Sequence, residues 1–325
     1  MSFGRFAVAA VACLALAGPA FAQDQQDNQG PTFRSTTREV PVYFVVKDKH
    51  GLLLPNLTKD DFQVFEDGKP QTIKAFRADT DRPLTLGLMV DTSGSQMRVL
   101  EDEKEAGSEF LKDVLTEKDL VFLISFDVDV NLDKDFTGDR QDLMRALRKE
   151  RINVGSNAGQ MSPIPGIGQG PIPQGRPRGT LLFDAAYLAA NEKLKEQAGR
   201  KALIFLTDGG DQGSQMKLKD AIEAEQKSDV ICYVILISDS GQGNASDMRK
   251  MSEETGGRMI DVGNNFAKLE KAFKEISNEL RSQYELTYTP TNTNMDGGYR
   301  KIEIKQKDGD KVQARKGYYA TRQQQ

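Results

Sequence analysis

The feature that most constrains this chain is an alternation that runs from residue 82 to residue 282. Short, continuously apolar runs trade places with segments of helical period. The runs "PLTLGLMVD", "DLVFLISF", "KALIFLTDG" and "DVICYVILIS" show no polar face, and "RMIDV" adds a shorter one. Strands of that kind belong in a sheet covered on both sides. The segments between them space their apolar residues for helices, as in "MRVLEDEKEAGSEFLKDVL" and "FAKLEKAFKEISNELRSQ". "DRQDLMRALRKE" opens on an acidic residue, and "ASDMRKMSEETGG" closes on glycines, which suits a left-handed helix end. Strands alternating with helices predict an α/β fold, a doubly wound and mostly parallel sheet.

The two flanks have a different texture. Residues 23–37 are polar and read as a disordered leader. Residues 38–80 alternate apolar and polar positions in three or so strands with no helix. Asp67 and Gly68 in "DFQVFEDGKPQTIKAF" mark a hairpin turn. Residues 283–320 return to alternation in "YELTYTP" and "YRKIEIKQ". Each flank is too small to bury a core alone. The expectation is one small all-β sandwich built from both chain ends, with the α/β domain of residues 82–282 inserted in it; two separate β units are the alternative.

Residues 1–22 read as a secretory signal peptide, with Arg5, an apolar stretch over residues 6–17, and a small-residue cleavage pattern at Ala20 and Ala22. That stretch is short for a membrane span. No later segment is long and apolar enough to cross a membrane. The expected location is outside the cytoplasm, periplasmic or secreted. Cys232 is the one cysteine left after cleavage, and its setting in "VICYVILIS" makes it a buried apolar residue. His50 is the single histidine, in the turn "KDKHG". Ser-His-Asp catalysis and histidine-rich zinc sites therefore lack their parts. The formal net charge of -4 comes without any basic block, so nucleic acid is not an expected partner.

In open α/β sheets, ligands bind beyond the carboxyl ends of the strands. Asp91 follows one apolar strand, with Ser93, Gly94 and Ser95 behind it. Asp208 follows another. Thr180 opens the helix before that second strand. Asp91, Ser93, Ser95, Thr180 and Asp208 offer oxygen alone, and oxygen donors without sulfur or imidazole select hard cations. Mg²⁺ fits best, with Mn²⁺ and Ca²⁺ as alternatives, since a site of few carboxylates leaves waters on the ion. A helix cap is the ordinary role of such residues; five of them on three convergent loops exceed it. The Gly/Pro-rich stretch 155–179 runs into Thr180 and is either a tolerated insertion or a loop that gates the site.

These motifs resemble a family. "DTSGS" resembles the D-x-S-x-S motif of von Willebrand factor A domains, their metal-ion-dependent adhesion site. "GTLLFDAAYLA" is similar to that family's threonine loop, and "FLTDGGD" to its last ligand segment. The resemblance covers residues 82–282, and the flanks resemble those of bacterial, Acidobacteria-type VWFA-related proteins. It implies a Rossmann-like domain in which Ser93, Ser95 and Thr180 coordinate the ion directly. Asp91 and Asp208 would do so directly or through water. The long stretch before Thr180 departs from the family pattern.

A second acidic stretch, "DVDVNLDKD", opens like a calcium loop, but Leu132 and Gly138 occupy positions that need Gly and Glu. It reads as an edge strand with its polar residues outward. Asp211 and Asp239 lie in rim loops and are expected to face solvent. Two functions remain in view. One is a non-enzymatic binding protein that grips a protein partner's Asp or Glu through the metal, as in cell adhesion. The other is a metal-dependent hydrolase or phosphotransferase, which needs a base that the sequence does not mark. The sequence leaves the oligomeric state open.

Overall fold

A computed structural model describes residues 39–78, 82–152, 179–237 and 244–320. The signal and leader, residues 155–178 of the Gly/Pro-rich stretch, and Asp239 lie outside the described residues. The chain opens with four strands, β1 (Val40–Lys47), β2 (Phe62–Glu66), β3 (Lys69–Gln71) and β4 (Ile73–Ala78). The α/β region follows with β5 (Leu84–Asp91), α1 (Leu100–Val114), β6 (Leu120–Phe126), β7 (Val130–Thr137), α2 (Arg140–Lys149) and α3 (Leu182–Leu188). It continues with β8 (Arg200–Thr207), α4 (Leu218–Lys227), β9 (Val230–Leu236), α5 (Ala245–Thr255), β10 (Met259–Asp261) and α6 (Phe266–Arg281). Four strands close the chain, β11 (Tyr284–Tyr288), β12 (Tyr299–Gln306), β13 (Lys311–Ala314) and β14 (Gly317–Tyr319).

The central sheet has the order β10-β9-β8-β5-β6-β7. All its pairings are parallel except β6 with β7. The order reverses at β5, so β5 and β8 flank the switch point at which such sheets open a crevice. Period two divides each strand between two cores. Leu84, Leu86, Leu88 and Val90 of β5 pack with α1, α2 and α6, whereas Met89 joins the core under α3, α4 and α5. The doubly wound sheet is thus covered on both faces, as its apolar strands require. Asp139 caps α2 by accepting from Gln141 N and Asp142 N, and Gly256 ends α5 at φ +94°.

The chain ends build one sandwich. One sheet runs β13-β1-β11-β4 and the other β14-β12-β2-β3. Each mixes strands from both ends, and Val42, Phe44, Phe62, Val64, Tyr284 and Leu286 fill the space between them. Asp67 and Gly68 form the expected hairpin turn, at φ +48° and +77°, with Glu66 paired to Lys69. The N-terminal flank holds four strands rather than about three, because "KPQTIKAF" divides at Thr72. The chain crosses there from one sheet to the other, β3 pairing with β2 and β4 with β11. A 3-10 turn at Lys59–Asp61 also interrupts it, closed by Thr58 N and Oγ1 donating to Asp61.

The sandwich is bound to the α/β layers by buried charge. Glu279 of α6, 2% exposed, accepts from Lys47 of β1 at 2.8 Å and from Arg258 at 2.7 Å. Gln313 of β13 donates to its other oxygen at 3.1 Å. Close backbone approach completes the seam: a Cβ on Gly256, at the end of α5, would lie 2.6 Å from Arg315 N. Removing one partner of a buried ion pair strands the others, at about 3–5 kcal/mol in fully buried settings. With Lys47 and Arg258 partly exposed, Glu279→Ala is expected to cost about 2–3 kcal/mol, measured by urea unfolding at pH 7.

Candidate metal centre

Asp91 is the last residue of β5 and has no exposed surface. It falls on the same strand face as Met89. Thr207, the last residue of β8, shares that face with Phe205 and lies beside it in the parallel register, where Val90 pairs with Leu206. The Thr207 hydroxyl donates to Asp91 Oδ2 at 2.6 Å. The Ser93 backbone N–H donates to Asp91 Oδ1 at 3.0 Å, folding the loop back over the strand end. That fold brings the hydroxyls of Ser93 and Ser95 to 2.9 Å from each other. A 3-10 turn over Gly94–Arg98 then leads into α1.

Asp208 follows Thr207 directly. Gly209 takes φ +78°, a conformation that favours glycine. Its N–H donates to Thr207 Oγ1 at 3.0 Å, and Gly210 N donates to Asp208 Oδ1 at 2.9 Å. The two acidic loops are joined by Gln96. With its amide oriented to satisfy both neighbours, Gln96 accepts from Asp208 N and donates to Glu103 Oε1, each at 3.1 Å. Thr180, largely buried, enters from the third loop. Its carbonyl accepts from Gln212 N at 2.9 Å, and the next N–H, that of Leu181, donates to the Asp127 carbonyl at 2.7 Å. Asp127 in turn accepts from the Thr92 hydroxyl at 2.7 Å. One hydrogen-bonded frame therefore ties the loops carrying Ser93 and Ser95, Thr180, and Asp208 to the same end of the sheet.

Charge in this frame is poorly solvated. Burial pushes the Asp91 carboxyl up to about 6, against the pull of hydrogen bonds from Ser93 and Thr207, and nearby Asp208 adds to the rise. Burial holds Glu103 well above the ordinary glutamate range, with Asp91, Asp102 and Asp208 reinforcing it. Among the described residues no group of three or more His, Cys, Asp or Glu side chains forms a metal cluster. The donor set at this rim is instead two carboxylates with hydroxyls.

Several structural roles escaped the sequence reading. Asp127 and Asp133 do not both point outward from the β7 edge. Asp127 is buried and holds Thr92, and Asp133 accepts from Ser125 N at 2.7 Å. Asp211 does not simply face solvent: it is half-buried, raised by that burial, and accepts from Phe183 N at 3.2 Å and Ser214 Oγ at 2.5 Å. It anchors the start of α3. Asp184 does the same for the far loop, accepting from the N–H groups of Gln215 and Met216. The position of Thr207 just before Asp208 was a usable signal. Nothing local marked Gln96 or Glu103, since their partners lie on other elements. His50 and Cys232 sit as expected, exposed in a turn and buried in β9.

The strand order, with a loop of Asp, Ser and Ser at its switch point, invites comparison with solved folds. This chain is similar to von Willebrand factor A domains. A conserved hypothetical protein BatB from Bacteroides thetaiotaomicron is 18% identical, over 60% of this chain and 98% of that chain, with a TM-score of 0.45. A von Willebrand factor type A protein from Catenulispora acidiphila is 12% identical over 89% of this chain and 75% of that one, at 0.48. Proximal thread matrix protein 1 of the mussel byssus, solved with a zinc-occupied MIDAS motif, is 16% identical over 65% of this chain and 48% of that one, at 0.48. No family model matches the chain, and no curated protein does. Among the described residues, no helix is long and apolar enough to cross a membrane.

The raised carboxyl of Asp91 has a measurable consequence in metal-free protein. Below its unfolded value near 3.8, native and unfolded chains both carry the proton. Between there and about 6 the native chain holds more protons, so this group's contribution to stability is lost as pH rises. Asp91→Asn removes that titration. In EDTA, the variant is expected to gain about 2 kcal/mol relative to wild type between pH 4 and pH 7, read from urea unfolding at both pH values.

Proposed function

We propose that this chain binds a divalent cation at the strand rim through Ser93, Ser95, Thr180, Asp91 and Asp208. A partner protein's Asp or Glu then completes the metal shell. The observation that carries the reading is the pair of serine hydroxyls held 2.9 Å apart over a loop folded back on buried Asp91. A strand-end cap needs one such oxygen; two turned to one point beside two carboxylates suit a cation. The residues fit a hard ion, since each donor is an oxygen. Both oxygens of Asp91 already accept hydrogen bonds, which favours contact with the ion through water. Asp208 Oδ1 is occupied by Gly210 N, leaving Oδ2 for the ion or its water. When bound, the cation supplies a positive, incompletely ligated centre that attracts a carboxylate.

Mg²⁺ is the favoured ion, with Mn²⁺ and Ca²⁺ as alternatives on the same donor chemistry. Binding is preferred over hydrolysis or phosphoryl transfer because the one histidine, His50, sits in an exposed turn after β1, and Asp211 is committed to Phe183 N and Ser214. Met97 stands 59% exposed two residues beyond Ser95 and gives a partner an apolar contact beside the ion. The signal-like residues 1–22 support a periplasmic or secreted site of action.

Calorimetric titration with Mg²⁺ tests the reading. Wild type is expected to bind one ion, and Asp91→Ala to lose the binding while its circular dichroism stays native. Unchanged Mg²⁺ affinity in that variant contradicts the assignment. Because protons compete for Asp91, which titrates at about 6, Mg²⁺ affinity is expected to fall about tenfold from pH 7 to pH 5.

A further inference from the structure

Glu103 is a carboxylate that the described fold leaves half-used. It lies on α1 with no exposed surface. Its Oε1 takes the amide N–H of Gln96, whose oxygen end accepts from Asp208 N. Its Oε2 has no hydrogen-bond partner. An unsatisfied oxygen on a buried acid is costly to a folded chain. The charged groups that act on Glu103 are Asp91, Asp102 and Asp208. All are acidic, and two are candidate ligands. A cation is the species that turns this mutual repulsion into attraction.

We propose that Gln96 and Glu103 are positioning residues of the metal centre. Gln96 sets the spacing between the serine loop and the Asp208 loop, and Glu103 Oε2 accepts a hydrogen bond from a water carried by the bound cation. The inference rests on the metal-binding reading above. The first part follows from one side chain bridging Asp208 N and Glu103 Oε1 while following Ser95 in sequence. The second follows from the unpartnered oxygen. Ions with few protein ligands keep waters, and outer-shell acceptors orient them. Glu103 is fully buried, so it is out of a partner's reach.

The test titrates Mg²⁺ alone into the EDTA-stripped full chain, with melting followed in parallel. Glu103→Gln keeps an oxygen for Gln96 but puts an NH₂ group where Oε2 was. Its Mg²⁺ affinity is expected to fall ten- to a hundredfold, while its metal-free melting temperature holds or rises. Gln96→Asn, too short to bridge, is expected to weaken Mg²⁺ by a similar factor and to melt lower without metal. It carries the test if Glu103→Gln does not fold. A purely structural pair would shift melting and leave Mg²⁺ affinity at the wild-type value in folded variants. That result overturns the inference while sparing the metal site. If wild type binds none of Mg²⁺, Mn²⁺ and Ca²⁺, the metal reading fails and this one with it.

Discussion

The hydrogen bond from Thr207 to Asp91 joins the two central strands at the rim that carries the candidate ligands. The sheet reverses order at β5, and the strands on either side of the crevice finish in these two residues. A fully buried acid at that point is unfavourable unless its oxygens are satisfied. The Thr207 hydroxyl and the Ser93 N–H satisfy them, and in doing so they fix where both loops leave the sheet. The paired serine hydroxyls and the turn that sends Asp208 onto the same rim follow from that constraint. A buried acid at this rim is the group that the proposed cation would neutralise.

The sandwich is tied closely to the α/β layers. α6 runs directly into β11, so the last helix of the α/β domain and a central strand of the sandwich are one continuous stretch. Glu279 near the end of that helix gathers Lys47, Arg258 and Gln313 from both layers. Tight glycine contacts at the end of α5 leave no room for slippage along the seam. The sandwich is thereby a fixed base for the α/β domain and not a loosely tethered neighbour.

Much of the fold was legible because its signals are periodic. Two-sided burial left β5, β6, β8 and β9 without a polar face, and the one-sided sandwich strands kept theirs. Asp67 and Gly68 announced their hairpin through backbone chemistry alone. What escaped was non-periodic and long-range. The break of β3 from β4 at Thr72 depends on which strand each meets, and no local residue marks it. At the rim, the candidate ligands Asp91, Ser93 and Ser95 share one compact motif, and Thr180 and Asp208 stand at the ends of two other recognisable segments. Those that hold the frame pair across elements: Thr92 with Asp127, Asp211 with Phe183 N and Gln96 with Asp208 N lie far apart in sequence, and Gln96 meets Glu103 across the turn into α1. Single-residue chemistry could not pair them, which is why Asp211 read as solvent-facing and Asp127 as outward.

In the proposed site, oxygens from three loops share one cation at the end of β5. Anomalous diffraction from crystals grown with Mn²⁺, recorded at the manganese edge, tests it most directly. One strong peak is expected within coordination distance of the Ser93 and Ser95 hydroxyls and on the side of Thr180 and Asp208. A fully occupied Mn²⁺ elsewhere, with no peak at that rim, would contradict it.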